Sequence, residues 1–232
     1  KDFFGGKCLV FINAWSSEGR DRLNLASFHE GDKLVQTVAS RCASTIVMVN
    51  SVSQLNLEPW IDHPNVTGVL WTGLPGTEYG LALVDVLFGR YNPGGKLVFT
   101  IARNDSDFGT EISHTYNSDY TEGVFLDYRH FDKNNITPRY HFGFGLSYTT
   151  FSFSSLLISK GGHHLRTSSR IYANKDLSKL YSPVYSIVFT VVNNGTVDGS
   201  EVPQLYLDFP EEAAQPPKIL RGFERVYLSA GE

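Results

Sequence analysis

The sequence predicts an α/β fold: a mostly parallel sheet flanked by helices, followed by a smaller β-sandwich of immunoglobulin-like type. Three observations carry this. In the first half, short continuous apolar runs alternate with amphipathic helical segments. From about residue 151 the hydrophobic period changes to two. Between them, 103–150 is a long stretch rich in Gly, Asn, Asp and aromatic residues, of the kind that is functional or packs over another domain. The expected division is 1–150 for the α/β domain and 151–232 for the β-sandwich.

Cys8-Leu-Val-Phe-Ile12 is a short unbroken apolar run, the pattern of a strand covered on both faces. Thr45–Val49, Val66–Leu74 and Leu97–Ile101 are three more such runs. Leu34, Val35, Val38, Ala39 and Cys42 form one helical stripe, and Tyr79, Leu83, Val84, Leu87 and Phe88 form another. Gly89 and Pro93 stop the second helix. Phe151 and Phe153 then alternate with serines. Tyr185, Ile187, Phe189 and Val191 share one strand face; Leu205, Leu207 and Phe209 share another. Asn193-Asn-Gly195 is a turn signal between them. Val226 and Leu228 suggest one more strand, and 160–179 reads as an exposed polar loop. Four or five strands are fewer than the seven of an immunoglobulin-like sandwich. The sandwich is therefore expected to be incomplete, and a start at Lys1 rather than Met suggests processing or trimming.

Composition limits the function classes. The 232 residues are 41% hydrophobic, 13% aromatic and 19% charged, which excludes a disordered chain or a coiled coil. No apolar run approaches the ~20 residues of a membrane span. A net charge of −4 provides no electrostatic footprint for nucleic acid or an anionic membrane. Cys8 and Cys42 are compatible with one bridge or with two buried thiols. Four sequons, at Asn65, Asn104, Asn135 and Asn194, are candidate glycan acceptors and favour secretion, although no signal peptide is visible.

The chemistry concentrates after the first strand, in Phe11-Ile-Asn-Ala-Trp-Ser-Ser-Glu-Gly-Arg-Asp-Arg22. Ligands of open α/β sheets bind at the carboxyl ends of strands. Glu18 stands there beside Trp15, as a general acid/base would; the plainer reading pairs it with Arg20 or Arg22. Asp127 and Asp132 suggest turn formation and ion pairs with Arg129 or Lys133. Met48, Trp60 and Trp71 read as packing residues. His163-His164 lacks a third ligand, so no metal site is expected. Leu74-Pro-Gly76 lacks a phosphate-binding fingerprint.

Several motifs occur in order: Phe11–Arg22, Glu58-Pro-Trp-Ile-Asp-His-Pro-Asn-Val-Thr67, Leu74-Pro-Gly-Thr-Glu78, Ala82–Gly89, Asn92-Pro-Gly-Gly-Lys-Leu97, Phe125–Asp132, Pro138-Arg-Tyr-His-Phe-Gly-Phe-Gly-Leu-Ser-Tyr148 and Leu220-Arg-Gly-Phe223. Together they resemble the C-terminal part of fungal β-glucosidases of glycoside hydrolase family three, through nearly the whole chain. The resemblance implies an N-terminal (β/α) barrel, an α/β sandwich domain and a fibronectin-III-like domain, with the barrel absent from this sequence. It implies that Glu18 is the acid/base of a retaining reaction on a β-glucoside or oligosaccharide, that the nucleophilic Asp belongs to the barrel, and that no cofactor is needed. Trp15 and Arg20 would touch substrate, with Arg20 at a position where relatives usually carry Tyr. By the same resemblance the protein is secreted and extracellular, and the isolated chain is inactive alone. Two other classes stay open: a carbohydrate-binding, lectin-like protein that kept the fold, and a domain that braces a barrel on another chain.

Overall fold

The computed structural model describes residues 6–111, 116–117, 119–160 and 183–232. The expected polar loop and His163-His164 lie almost wholly outside these residues. The first three strands are β1 (Lys7–Ala14), β2 (Ser44–Ser51) and β3 (Val66–Trp71), joined in the order β1-β2-β3 with both pairings parallel. Helix α1 (Gly31–Ala39) connects β1 to β2 and buries Val35 and Ala39. One sheet face forms the core, in which Val10, Ile12, Ala14, Val47 and Val49 pack with Val35, Leu55, Leu57, Trp60 and Ile101. The disulfide Cys8–Cys42 ties β1 to the turn after α1, which settles the cysteine question in favour of a bridge.

Two expectations need correction. Strand β1 is not covered on both faces by the described residues: Val10 and Ile12 are buried, whereas Leu9 and Phe11 are about half exposed, at 49% and 48%. The fourth run, Leu97–Ile101, is not a strand of the sheet. Its backbone is satisfied by the aromatic segment instead: Leu97 N donates to Phe144 O, Gly143 N to Leu97 O, and Ile101 and Tyr140 exchange both bonds. Once those amides are paired, the run has no ladder to offer β3.

Helix α2 (Tyr79–Leu87) follows β3, and Gly89 ends it at φ +71, the left-handed conformation that glycine adopts without Cβ strain. The aromatic stretch contains a 3-10 turn at Asp105–Phe108 and the short helix α3 (Tyr128–Lys133). Asp127 caps α3 through Tyr128 N, and its carboxylate also accepts from Thr100 N and Oγ1. Asp132 pairs with Lys218 at 3.3 Å rather than with a neighbouring cation.

The second part has six strands among the described residues: β4 (Phe151–Lys160), β5 (Tyr185–Asn193), β6 (Gly199–Glu201), β7 (Gln204–Asp208), β8 (Lys218–Phe223) and β9 (Val226–Leu228). They form three antiparallel pairs, β4-β5, β6-β9 and β7-β8. Phe209 falls just beyond β7. Many apolar side chains of β4 and β5, including Phe153, Leu157 and Val188, are exposed.

A polar seam joins the two parts. Asn92 Oδ1 accepts from Ser147 Oγ and Tyr148 N, while its Nδ2 donates to Asp198 O. Lys96 pairs with Glu201 at 2.8 Å, both side chains being largely buried, and also donates to Gly145 O. A Cβ on Gly94 would lie 2.6 Å from Ser200 O, and one on Gly145 would strike Gly95 O. Glycine at both positions thus lets backbones approach closely.

Candidate active site

The candidate site is the loop leaving the carboxyl end of β1. Ser17 and Arg20 exchange two backbone hydrogen bonds, of 3.2 and 3.0 Å, across a two-residue turn. Glu18 and Gly19 form its tip, and Gly19 takes φ +72. Positive φ at the second central position is what a type II turn requires, and glycine supplies it. The turn leaves Glu18 exposed. Among the described residues, no hydrogen bond or ion pair engages its carboxylate.

The neighbouring cations have other roles, which removes the plainer reading of Glu18. Arg20 lies over the Trp15 ring, its guanidinium carbon 5.6 Å from the ring centroid. Arg22 is half-buried and donates from Nη2 to Gln54 O at 2.9 Å. Burial lowers the Arg22 pKa below the ordinary arginine value, and Asp105 opposes that shift.

Trp15 is braced from below by Phe28, edge to face at 6.0 Å. Phe28 is held in turn by its backbone N–H, which donates to Asn13 O at 2.8 Å. Its sequence position belongs to neither apolar stripe, so no periodicity marks it. The next two residues, His29 and Glu30, both adopt φ 55. Consecutive left-handed non-glycine residues are costly, and such strain collects where a loop is held in one shape.

The structure thus brings Trp15, Glu18 and Arg20 onto one exposed turn. The remaining singled-out residues serve the fold. Trp60 is buried and donates Nε1 to Asp32 Oδ1 at 2.9 Å. Trp71 packs edge to face on Phe99, and Met48 is fully buried. Arg139 forks onto Glu58 and Asp62 at 2.6–3.0 Å, and the hydrogen bonds it donates to these carboxylates raise its pKa above the ordinary value. A groove of about 950 Å³ along β3 and the 93–99 and 140–148 segments is mainly apolar; neither a carboxyl group nor any residue of the 15–22 loop lines it. It offers no carboxyl group to protonate a leaving group. Among the described residues no cluster of His, Cys, Asp and Glu could hold a metal.

The sequons occupy different surroundings. Asn104, Asn135 and Asn194 are exposed, whereas Asn65 is half-buried and donates Nδ2 to Ala39 O at 2.8 Å.

The site is thus an exposed carboxyl group without a partner among the described residues, at the carboxyl edge of a parallel sheet that is followed by antiparallel strand pairs. Comparison with known proteins supplies the family. The glycosyl hydrolase family 3 C-terminal domain matches residues 6–148, and a fibronectin type III-like domain matches residues 201–232. The chain belongs to glycosyl hydrolase family 3. It is 49% identical to a protein named probable beta-glucosidase D of Aspergillus oryzae and 45% identical to beta-glucosidase cel3A of Pyricularia oryzae. Each alignment covers 97% of this chain but only 30% and 29% of those relatives. The crystal structure of a beta-D-glucoside glucohydrolase from Trichoderma reesei superposes with TM-score 0.87 at 42% identity, over 97% of this chain and 33% of that one. A beta-glucosidase from Chaetomella raphigera gives TM-score 0.90 at 42% identity, over 97% and 32%. The chain therefore spans about a third of the length of the relatives it matches.

Proposed function

We propose that this chain supplies the general acid/base, Glu18, to a retaining β-glucosidase that removes terminal non-reducing β-D-glucosyl residues. The observation that carries the reading is the uncommitted, solvent-facing carboxyl group at the tip of the Ser17–Arg20 turn. A proton-transfer group must reach the glycosidic oxygen, so it cannot be tied into the fold. Structural support comes from Arg22, Phe28 and the paired turn backbone, which fix the loop without occupying Glu18.

Retention requires a second carboxyl group about 5–5.5 Å away. The family resemblance assigns that nucleophile to a barrel, carried on the same or a separate polypeptide, so this chain alone is inactive. In the first half-reaction Glu18 protonates the departing glycosidic oxygen while the nucleophile attacks the anomeric carbon. In the second it takes a proton from water, which displaces the enzyme carboxylate. Trp15 and Arg20 line the leaving-group side. The division of the chain near residue 150 places this loop and the residues that brace it in the first part. The Cys8–Cys42 disulfide and the exposed sequons support a secreted, extracellular glycoprotein.

The decisive experiment is Glu18→Gln in the full-length enzyme. Cellobiose turnover should fall about 10²- to 10⁴-fold, the usual contribution of a positioned acid/base. Turnover of an aryl glucoside with a good leaving group should fall less, because such a group departs without protonation. Unchanged cellobiose turnover rejects the assignment.

A further inference from the structure

We infer that Arg20 is a specificity determinant that favours β-glucosides whose leaving group bears a carboxylate, such as glucosides of hydroxybenzoic acids. The inference rests on the Glu18 reading and sharpens it. Arg20 is exposed, and among the described residues no carboxylate pairs with it. Arg22, two residues away, is instead bound to the carbonyl of Gln54.

Arg20 is nevertheless held in place. Its backbone is bonded twice to Ser17, and its guanidinium lies 5.6 Å from the Trp15 ring, which Phe28 braces. A guanidinium held over a ring face by a cation–π contact, with no carboxylate partner among the described residues, has N–H donors left for a carboxylate. Glu18 must meet the glycosidic oxygen, so the first ring of the leaving group passes along this same turn. A neutral disaccharide gives that fixed charge no ionic partner. A carboxylated aromatic ring offers both a face to stack and an anion to accept. Because the site faces water, the gain is that of an exposed ion pair.

The test compares para-carboxyphenyl and para-carbamoylphenyl β-D-glucosides on the full-length enzyme, at a pH where the acid is ionised. The readout is the ratio of their kcat/KM values, which cancels general damage to the enzyme. Arg20→Gln should lower this ratio about three- to fivefold, and Arg20→Lys should keep most of it. High salt should erode the wild-type ratio and leave that of the Gln variant unchanged. An equal ratio in wild type and Arg20→Gln overturns the proposal. If that variant fails to fold, a wild-type ratio insensitive to salt overturns it equally. Failure of the Glu18 reading is separate: Glu18→Gln would then leave the absolute rates on both substrates intact, whatever their ratio.

Discussion

The Ser17–Arg20 turn and the seam around Asn92 are built on opposite principles. At the turn, two backbone hydrogen bonds and one stacked pair hold an exposed loop, and the central carboxylate is left without a partner. At the seam, Asn92 uses both ends of its amide on three partners, Lys96 meets Glu201 away from water, and glycines allow backbones to touch. The difference teaches which residues are free to act. A polar group that satisfies the fold is unavailable for substrate; one that the fold leaves alone, on a braced loop, is available. The Asn92-Pro-Gly-Gly and Phe-Gly-Phe-Gly-Leu-Ser-Tyr148 motifs are conspicuous as sequence, yet they belong to the seam.

Substitutions should separate the two regions. The largest stability effect is expected below the turn, in the strand that carries it. Replacing Cys8 and Cys42 together by serine opens a loop with a sequence separation of 34 and should cost about 3–4 kcal/mol by chain entropy, read by denaturant unfolding. A loss under about 1 kcal/mol would mean that β1 is held by its ladder alone.

Next comes Asn193, fully buried where the two parts meet. Its side chain accepts from Thr149 Oγ1 and Gly195 N and donates to Val197 O and Leu228 O. Asn193→Ala leaves several of these groups without partners and should cost about 3 kcal/mol. Asn92→Ala, in a wetter place, should cost about 2 kcal/mol. Both should lower Tm while leaving the cellobiose KM of the folded enzyme unchanged; a selective KM change would tie the seam to the site.

Tyr206 gives a smaller, pH-dependent effect. Burial first, then the nearby Tyr128 and Asp132 charges, raise its pKa above the ordinary 10.0. The folded state therefore keeps a proton that the unfolded chain releases. Its stabilisation is complete below pH 10 and is lost as pH rises through the higher folded value. Tyr206→Phe should remove this alkaline loss and cost about 1 kcal/mol at neutral pH, through the bond to Gln204 Oε1. An unchanged alkaline limb would assign that loss to other groups.

The smallest stability effect is expected at the turn itself. Glu18→Gln should shift unfolding by less than about 0.5 kcal/mol, as for a surface substitution without partners, despite the large loss of turnover that the proposed role predicts. A destabilisation above 1 kcal/mol would show that the carboxylate serves the fold, and the contrast between the regions would fail.

Much of this was legible in the chain. Unbroken apolar runs located β1, β2 and β3, and 3.6-residue stripes located α1 and α2, because burying one face imposes a period that side-chain chemistry records. Glu18 was legible as a candidate because its place just after the first strand is a position in a topology, and the ordered motifs pointed to the family. The sequence did not say that Leu97–Ile101 would pair with residues 140–144 rather than join the sheet, since an apolar run does not name its backbone partner. Nor could it choose between a Cys8–Cys42 bridge and two thiols, or show that Phe28 lies under Trp15. Those contacts join residues with no fixed spacing along the chain. Only the folded backbone brings them within bonding distance, and it is this packing that commits Arg22 to Gln54, sets Arg20 over Trp15 and leaves the Glu18 carboxylate without a partner among the described residues.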